Sequence, residues 1–150
     1  HHCTMRTRVL ELKVQTANAH VAAALGLSEK EKVTRLTRLR HLEGTSNEAP
    51  VLYTTVFVPH SLFPDMETLD FTDLSFYDIL AQRNMDVRRA VRRLEVMMPP
   101  SEVSAALGIT PFEPCVFISS TGYTASGAAI EYAESYYPAS SSSFLIEVNR

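Results

Sequence analysis

Residues 20–27 read HVAAALGL and residues 102–109 read EVSAALGI, an offset of 102 − 20 = 82 positions. A repeat within a single-domain length constrains the architecture strongly, because two like halves must find a way to share one core. The likeness continues through Leu25/Leu107, Gly26/Gly108, Leu27/Ile109 and Ser28/Thr110. It runs on into KVTRLTRLRHLEG from Lys32 and PCVFISSTGYTASG from Pro114. APVLYTTVFVP (Ala49 to Pro59) then lies on AAIEYAESYYP (Ala128 to Pro138) at an offset of 128 − 49 = 79. The second turn is therefore three residues shorter (82 − 79 = 3), a change that hairpin turns tolerate.

Each copy reads as β-α-β-β. Val9 to Val14 and Val87 to Met97 supply the leading strands. The Ala-rich stretches form the helices, ended by Gly26 and Gly108 at C′, with Ser101 as the N-cap of the second. Glu43–Asn47 and Ser126-Gly127 are turn chemistry between β-rich runs, so each copy contains a hairpin. Between the copies, LSFYDILAQRN predicts one further helix, with Asp73 or Ser75 as N-cap and Asn84 at a left-handed stop. A last strand is expected over Phe144–Val148, after the serine run 140–143. The predicted fold is α+β: one antiparallel sheet from two β-α-β-β repeats, with helices packed on it and a ligand groove at the seam.

Strand alternation sorts the candidate binding groups. Leu36, Arg38, Arg40 and Leu42 share one face. Two arginines there are either a solvated rim with snorkelling stems or a paired guanidinium clamp for a carboxylate or phosphate. Glu131, Ala133, Ser135 and Tyr137 also share a face, and their counterparts in the first copy are Leu52, Thr54, Val56 and Val58. One copy thus carries a carboxylate and a phenol where the other is apolar, the asymmetry expected of a site built from one half. In VRRAVRRLEV, Arg88, Ala90, Arg92, Leu94 and Val96 form one face and Arg89, Val91, Arg93 and Glu95 the other. Arginines on both faces leave their orientation open, and most read as surface charge.

Several function classes are excluded. A net charge of −3 argues against this segment binding nucleic acid by itself. No apolar run reaches the length of a membrane span. No nucleophile elbow, glycine-rich phosphate loop or metal-ligand spacing is present, so neither catalytic residues, nor a metal, nor a cofactor is expected. His20, His41 and His60 are scattered and read as surface or core filler, while His1 and His2 carry no weight as ligands. Cys3 and Cys115 read as two thiols of a reducing cytoplasm rather than a disulfide.

VLELKVQTANAHVAAALGL, RLTRLRHLEGTSNEAPVLYTTVFVP, LSFYDILAQRNMDVRRA and AAIEYAESYYPASSSSF, taken in order, resemble the UTRA domain. This is the chorismate-lyase-like effector-binding domain of HutC-subfamily GntR transcription regulators. The resemblance implies a ligand domain over 9–150 preceded by a linker or tag remnant at 1–8. It further implies a small anionic effector, such as a phosphosugar or amino acid, a homodimer, and operator DNA bound through a winged helix that this chain does not contain. Arg38 and Arg40 match the family's R-x-R, which grips the anionic group, and Ser75 matches the serine opening the SLY-like helix. Arg89 matches the arginine of the "RA" dipeptide, while Glu131 and Tyr137 match the groups that meet the polar body of the ligand. Two departures concern ligand identity: LEGTSNEAP replaces a turn close to A-D-G-x-P, and ASSSS replaces the basic residue after YY-x. A chorismate-lyase-like enzyme and a dimerisation module without ligand are the alternatives.

Overall fold

The computed structural model describes residues 5–43 and 49–150. The elements run β1 (Met5–Thr16), α1 (Ala19–Leu25), β2 (Lys32–Leu42), β3 (Pro50–Pro59), α2 (Phe76–Gln82), β4 (Arg89–Met97), α3 (Ser101–Leu107), β5 (Cys115–Tyr123) and β6 (Ala129–Pro138). All six strands pair antiparallel in one sheet of order β1-β2-β3-β6-β5-β4. The repeated β-α-β-β unit and the single sheet are as the sequence predicts.

The seam between the halves is β3 against β6, two strands that are each other's repeat counterparts. Thr55 faces Glu134, and 134 − 55 = 79, the repeat offset of these strands. A pseudo-two-fold axis therefore passes through this residue pair. It exchanges Thr54↔Ser135 with Val56↔Ala133, the neighbouring pairs on either side.

Even-numbered residues of β2 and β3 share one face of the sheet with odd-numbered residues of β6. Leu36, Val56, Val58 and Ala133 form a core there with Phe63, Met66, Phe71, Phe76 and Leu80 of the crossover that joins the halves. The opposite face carries α1 and α3, and each packs on the inner strand of the other half, α1 on β6 and α3 on β3. The halves are thereby interlocked. Val21, Leu25, Phe57 and Tyr132 make one helix-side cluster, and Tyr53, Val103, Leu107 and Cys115 the other. Cys115 is fully buried, and burial raises its thiol pKa; Cys3 lies outside the described residues.

Local chemistry accounts for the helix limits. Asn18 Oδ1 accepts from the Val21 N–H at 2.8 Å, and Gly26 and Gly108 end α1 and α3 at φ +66° and +68°, where glycine escapes the Cβ clash. After α2, Asn84 adopts φ 59° as predicted, and the Met85 N–H reaches back to Leu80 O at 2.8 Å.

Four expectations need correction or completion. β1 begins at Met5 and pairs with Leu42, so residues 5–8 belong to the sheet rather than to a linker. The cap of α3 is Pro100, not Ser101, because the Ser104 N–H already bonds to Pro100 O at 3.1 Å. No strand forms over Phe144–Val148, since the segment pairs with no edge among the described residues. The first hairpin turn, expected over Glu43–Asn47, lies outside the described residues after Glu43.

Leu36 is fully buried at the heart of the core under the crossover. Leu36→Ala is expected to lower unfolding free energy by about 2–5 kcal/mol, read as a reduced urea midpoint with an unchanged slope.

Candidate functional site

A cavity of about 320 Å³ lies on the crossover side of the sheet. Its floor includes Thr54, Val56, Ala133 and Ser135, the four residues flanking the pseudo-two-fold axis, with Thr54 and Ser135 hydroxyls 2.9 Å apart across the seam. Arg38 and Arg40 wall one side from β2, and Arg92, Ile118 and Ser120 the other from β4 and β5. Phe76 and Tyr77 of α2 roof it, while Tyr137 and Phe144 close the end with rings 5.2 Å apart.

A bulge in β1 helps build this wall. Register shifts between Val9 and Glu11, so the alternation of side chains reverses at Leu10. Val9 and Leu12 both pack on the crossover core while Leu10 joins a helix-side cluster. Thr7 and Val9 thereby sit opposite Arg40 and Arg38. Strict alternation along VLELKV would have placed them on the other face.

The electrostatics point one way. Arg38 and Arg40 bury their Nε atoms without a hydrogen-bond partner, and so does the Ser120 hydroxyl. Buried donors left unmatched are costly, and a bound acceptor removes that cost. Burial lowers the Arg38 pKa, and the adjacent Arg40 charge lowers it further. Two like charges held together on one wall favour an anion between them. Tyr137 is raised by burial, so its phenol stays a donor.

Glu131 is placed differently from its expected role. It is 1% exposed and does not line the cavity. Its Oε1 lies 3.5 Å from the Tyr77 hydroxyl, a long contact, and its Oε2 has no partner. Gly122 makes the room: a Cβ there would stand 2.5 Å from Oε1. The repeat explains that room, because Ser120 and Gly122 occupy the positions of Arg38 and Arg40 (38 + 82 and 40 + 82). Burial pushes the Glu131 carboxyl up to about 7, against the weaker downward pull of Tyr77 and Arg92.

Of the residues singled out by sequence, Arg38, Arg40 and Tyr137 meet around one cavity. Ser75 precedes α2 without making a capping bond and lines an adjoining hollow of about 290 Å³, which shares Arg38, Arg40, Phe76 and Tyr77 with the cavity. Arg89 lies outside that cavity but borders an adjoining hollow of about 670 Å³, which shares Tyr77 and Arg92 with it. It pairs with Tyr123, its guanidinium 4.3 Å from that ring's centre. The β4 arginine on the cavity is Arg92, opposite Ser120. Sequence reasoning left the β4 faces unassigned; pairing with Ser120 decides them. Tyr77 and Phe144 were also missed as lining residues, since neither a helix flank nor an extended tail carries a period that points to a cavity. Among the described residues, no group of three or more His, Cys, Asp or Glu could hold a metal, and no helix is long and apolar enough to cross a membrane.

This fold recurs in solved effector and repressor domains. The fold superposes on the effector domain of PhnF from Mycobacterium smegmatis with a TM-score of 0.90, at 20% identity, covering 98% of this chain and 88% of that one. It also matches the C-terminal domain of the histidine utilization repressor from Pseudomonas syringae pv. tomato, TM-score 0.86 at 22% identity, covering 98% and 100%. The UTRA domain family matches residues 2–142, and the chain belongs to that family. The mannosyl-D-glycerate transport/metabolism system repressor MngR of Escherichia coli K12 is 23% identical over 136 residues. That match takes in 91% of this chain but 55% of the relative, so the chain spans about half of that protein's length.

The raised Glu131 value sets a pH dependence of stability. The folded carboxyl holds its proton more tightly than the unfolded one, from an ordinary 4.5 to about 7. The stabilisation is therefore full below about pH 4.5, declines as pH rises and is lost above about 7. Glu131→Gln is expected to flatten this slope and to exceed the parent's stability at about pH 8 by on the order of 2 kcal/mol, measured by urea denaturation on both sides of the window.

Proposed function

We propose that this chain is the effector-sensing part of a bacterial transcription regulator. In this reading a small metabolite places its phosphate or carboxylate between Arg38 and Arg40, with Arg92 opposite and Tyr137 donating to its polar body. The observation that carries the reading is the pair of buried, partnerless Nε atoms on one cavity wall. The cavity size suits a compact metabolite such as a phosphosugar or amino acid.

Binding without turnover is the better reading. Among the described residues the wall carries no carboxylate, histidine or thiol, and burial raises the phenols of Tyr77 and Tyr137, which leaves no base at the substrate near neutral pH. A chorismate-lyase-like reaction finds no support there.

Occupancy would favour one arrangement of a homodimer, and through it one placement of attached winged helix-turn-helix heads on a palindromic operator. The family membership and the repressor relatives support this role. A negatively charged sensing segment leaves DNA contact to that other domain, and a regulator of this kind works in the cytoplasm.

Inorganic phosphate, phosphosugars and carboxylate metabolites are expected to raise the melting temperature, with a gain near 2.7 kcal/mol at about 100-fold excess over Kd. Arg38→Ala or Arg40→Ala should weaken binding by about tenfold to a hundredfold, the loss of one charge-assisted contact, as titration calorimetry would report. A full panel that leaves the melting temperature unmoved would sink the sensor reading.

A further inference from the structure

Arg92 breaks the repeat at the far wall of the cavity. Its counterpart in the first half is Leu10 (92 − 82 = 10), which the β1 bulge turns into a helix-side cluster. The arginines near it have carboxylates of their own: Arg88 lies 3.7 Å from Asp86 and Arg93 lies 2.7 Å from Glu95. Among the described residues Arg92 makes no ion pair. It faces Ser120 across β4 and β5, and the Ser120 hydroxyl is buried without a partner.

The charge of the lining is one-sided. Among the described residues three guanidiniums line the cavity and no carboxylate does. The charge of Arg92 reaches the phenols of both Tyr77 and Tyr137, where it joins that of Arg38 at the first and of Arg40 at the second. The positive field therefore spans the hollow from wall to wall. Glu131 does not offset it, because its side chain is shut behind Tyr77 and Gly122 and burial keeps its proton on below about pH 7. Asp73 and Asp86 border neighbouring hollows rather than this one. Thr54 and Ser135 contribute hydroxyls to the floor, but these already bond each other.

Building on the effector reading above, we infer that Arg92, with Ser120, makes this cavity select acids that carry hydroxyl or carbonyl groups and no ammonium. Polyol phosphates and hydroxy acids are then taken, while amino sugars and amino acids are refused. Arg38 and Arg40 hold the acidic group, which the accepted and refused compounds share. Arg92 decides between them by what stands at the other end of the molecule. A ligand oxygen there accepts from the guanidinium and from the Ser120 hydroxyl. An ammonium in its place has no lone pair to offer, and it stands among three like charges with no carboxylate to answer it.

Titration calorimetry on the full 150-residue chain at pH 6, where Glu131 keeps its proton, tests this with compounds that differ only by an amino group in place of a hydroxyl. The pairs are glucose 6-phosphate and glucosamine 6-phosphate, malate and aspartate, and glycerate and serine. The hydroxyl member of at least one pair should bind, and its amino partner should bind about tenfold or more weakly, a difference of at least 1.4 kcal/mol. Arg92 is exposed on β4, so its variants should fold as the parent does. Arg92→Gln should narrow the gap to about threefold or less, and Arg92→Glu should reverse it. Amino members that bind as well as their partners overturn the selection by Arg92. So does an Arg92→Gln protein that discriminates as sharply as the parent or binds no member at all. Inorganic phosphate, titrated into the wild type, reports the grip of Arg38 and Arg40 separately. If phosphate binds and no hydroxyl member does, only the selection falls; if neither phosphate nor any pair member binds, the effector reading falls and takes the selection with it.

Discussion

The structure depends on the pairing of β3 with β6. These are the innermost strands of the two halves, and their register sets Thr55 against its own repeat counterpart, Glu134. A shift of that register by one residue would turn Val56 and Ala133 away from the crossover core and expose them. It would also break the Thr54–Ser135 contact that floors the cavity. The pairing fixes the helices as well, since α1 and α3 each lean on the far half's inner strand. Neither half can complete its helix-side core alone.

On that symmetric frame the site is strongly asymmetric. Positions 38 and 40 hold arginine in the first half, and their counterparts 120 and 122 hold serine and glycine. Four cations around one small hollow would repel each other without relief. Two arginines and a third across the floor leave room for one acidic group, while the space released at Gly122 takes the Glu131 side chain. The carboxyl there keeps its proton up to about pH 7, because burial disfavours its charged form. It therefore does little to neutralise the arginine wall.

Much of this architecture is readable in the chain. Alternation gave the shared face of Arg38 and Arg40 and that of Ser135 and Tyr137, and the repeat placed those faces together over the seam. Four features escaped because they depend on pairing or packing rather than period. The bulge at Leu10 reverses the parity of β1, and nothing in VLELKV marks it. The split between Arg89 and Arg92 follows from which β5 residues they face, Tyr123 and Ser120. Glu131 looked like a ligand contact because its strand neighbours Ala133 and Ser135 are on the wall; only the three-dimensional packing of Tyr77 and Gly122 shows it lying behind. The run FLIEV has the composition of a strand, yet composition cannot supply the edge a strand needs.

Phe144 occupies an unusual position among these features. Its ring is part of the cavity wall, and its backbone begins the exposed tail. In the proposed role, a ligand large enough to press on the ring would displace it from Tyr137, whereas a smaller one would leave the two rings in contact. Under that reading affinity and response would be separable quantities: two compounds gripped equally by the arginines would differ in output through bulk alone. Agonists and silent competitors would share their acidic group and diverge at the opposite end of the molecule.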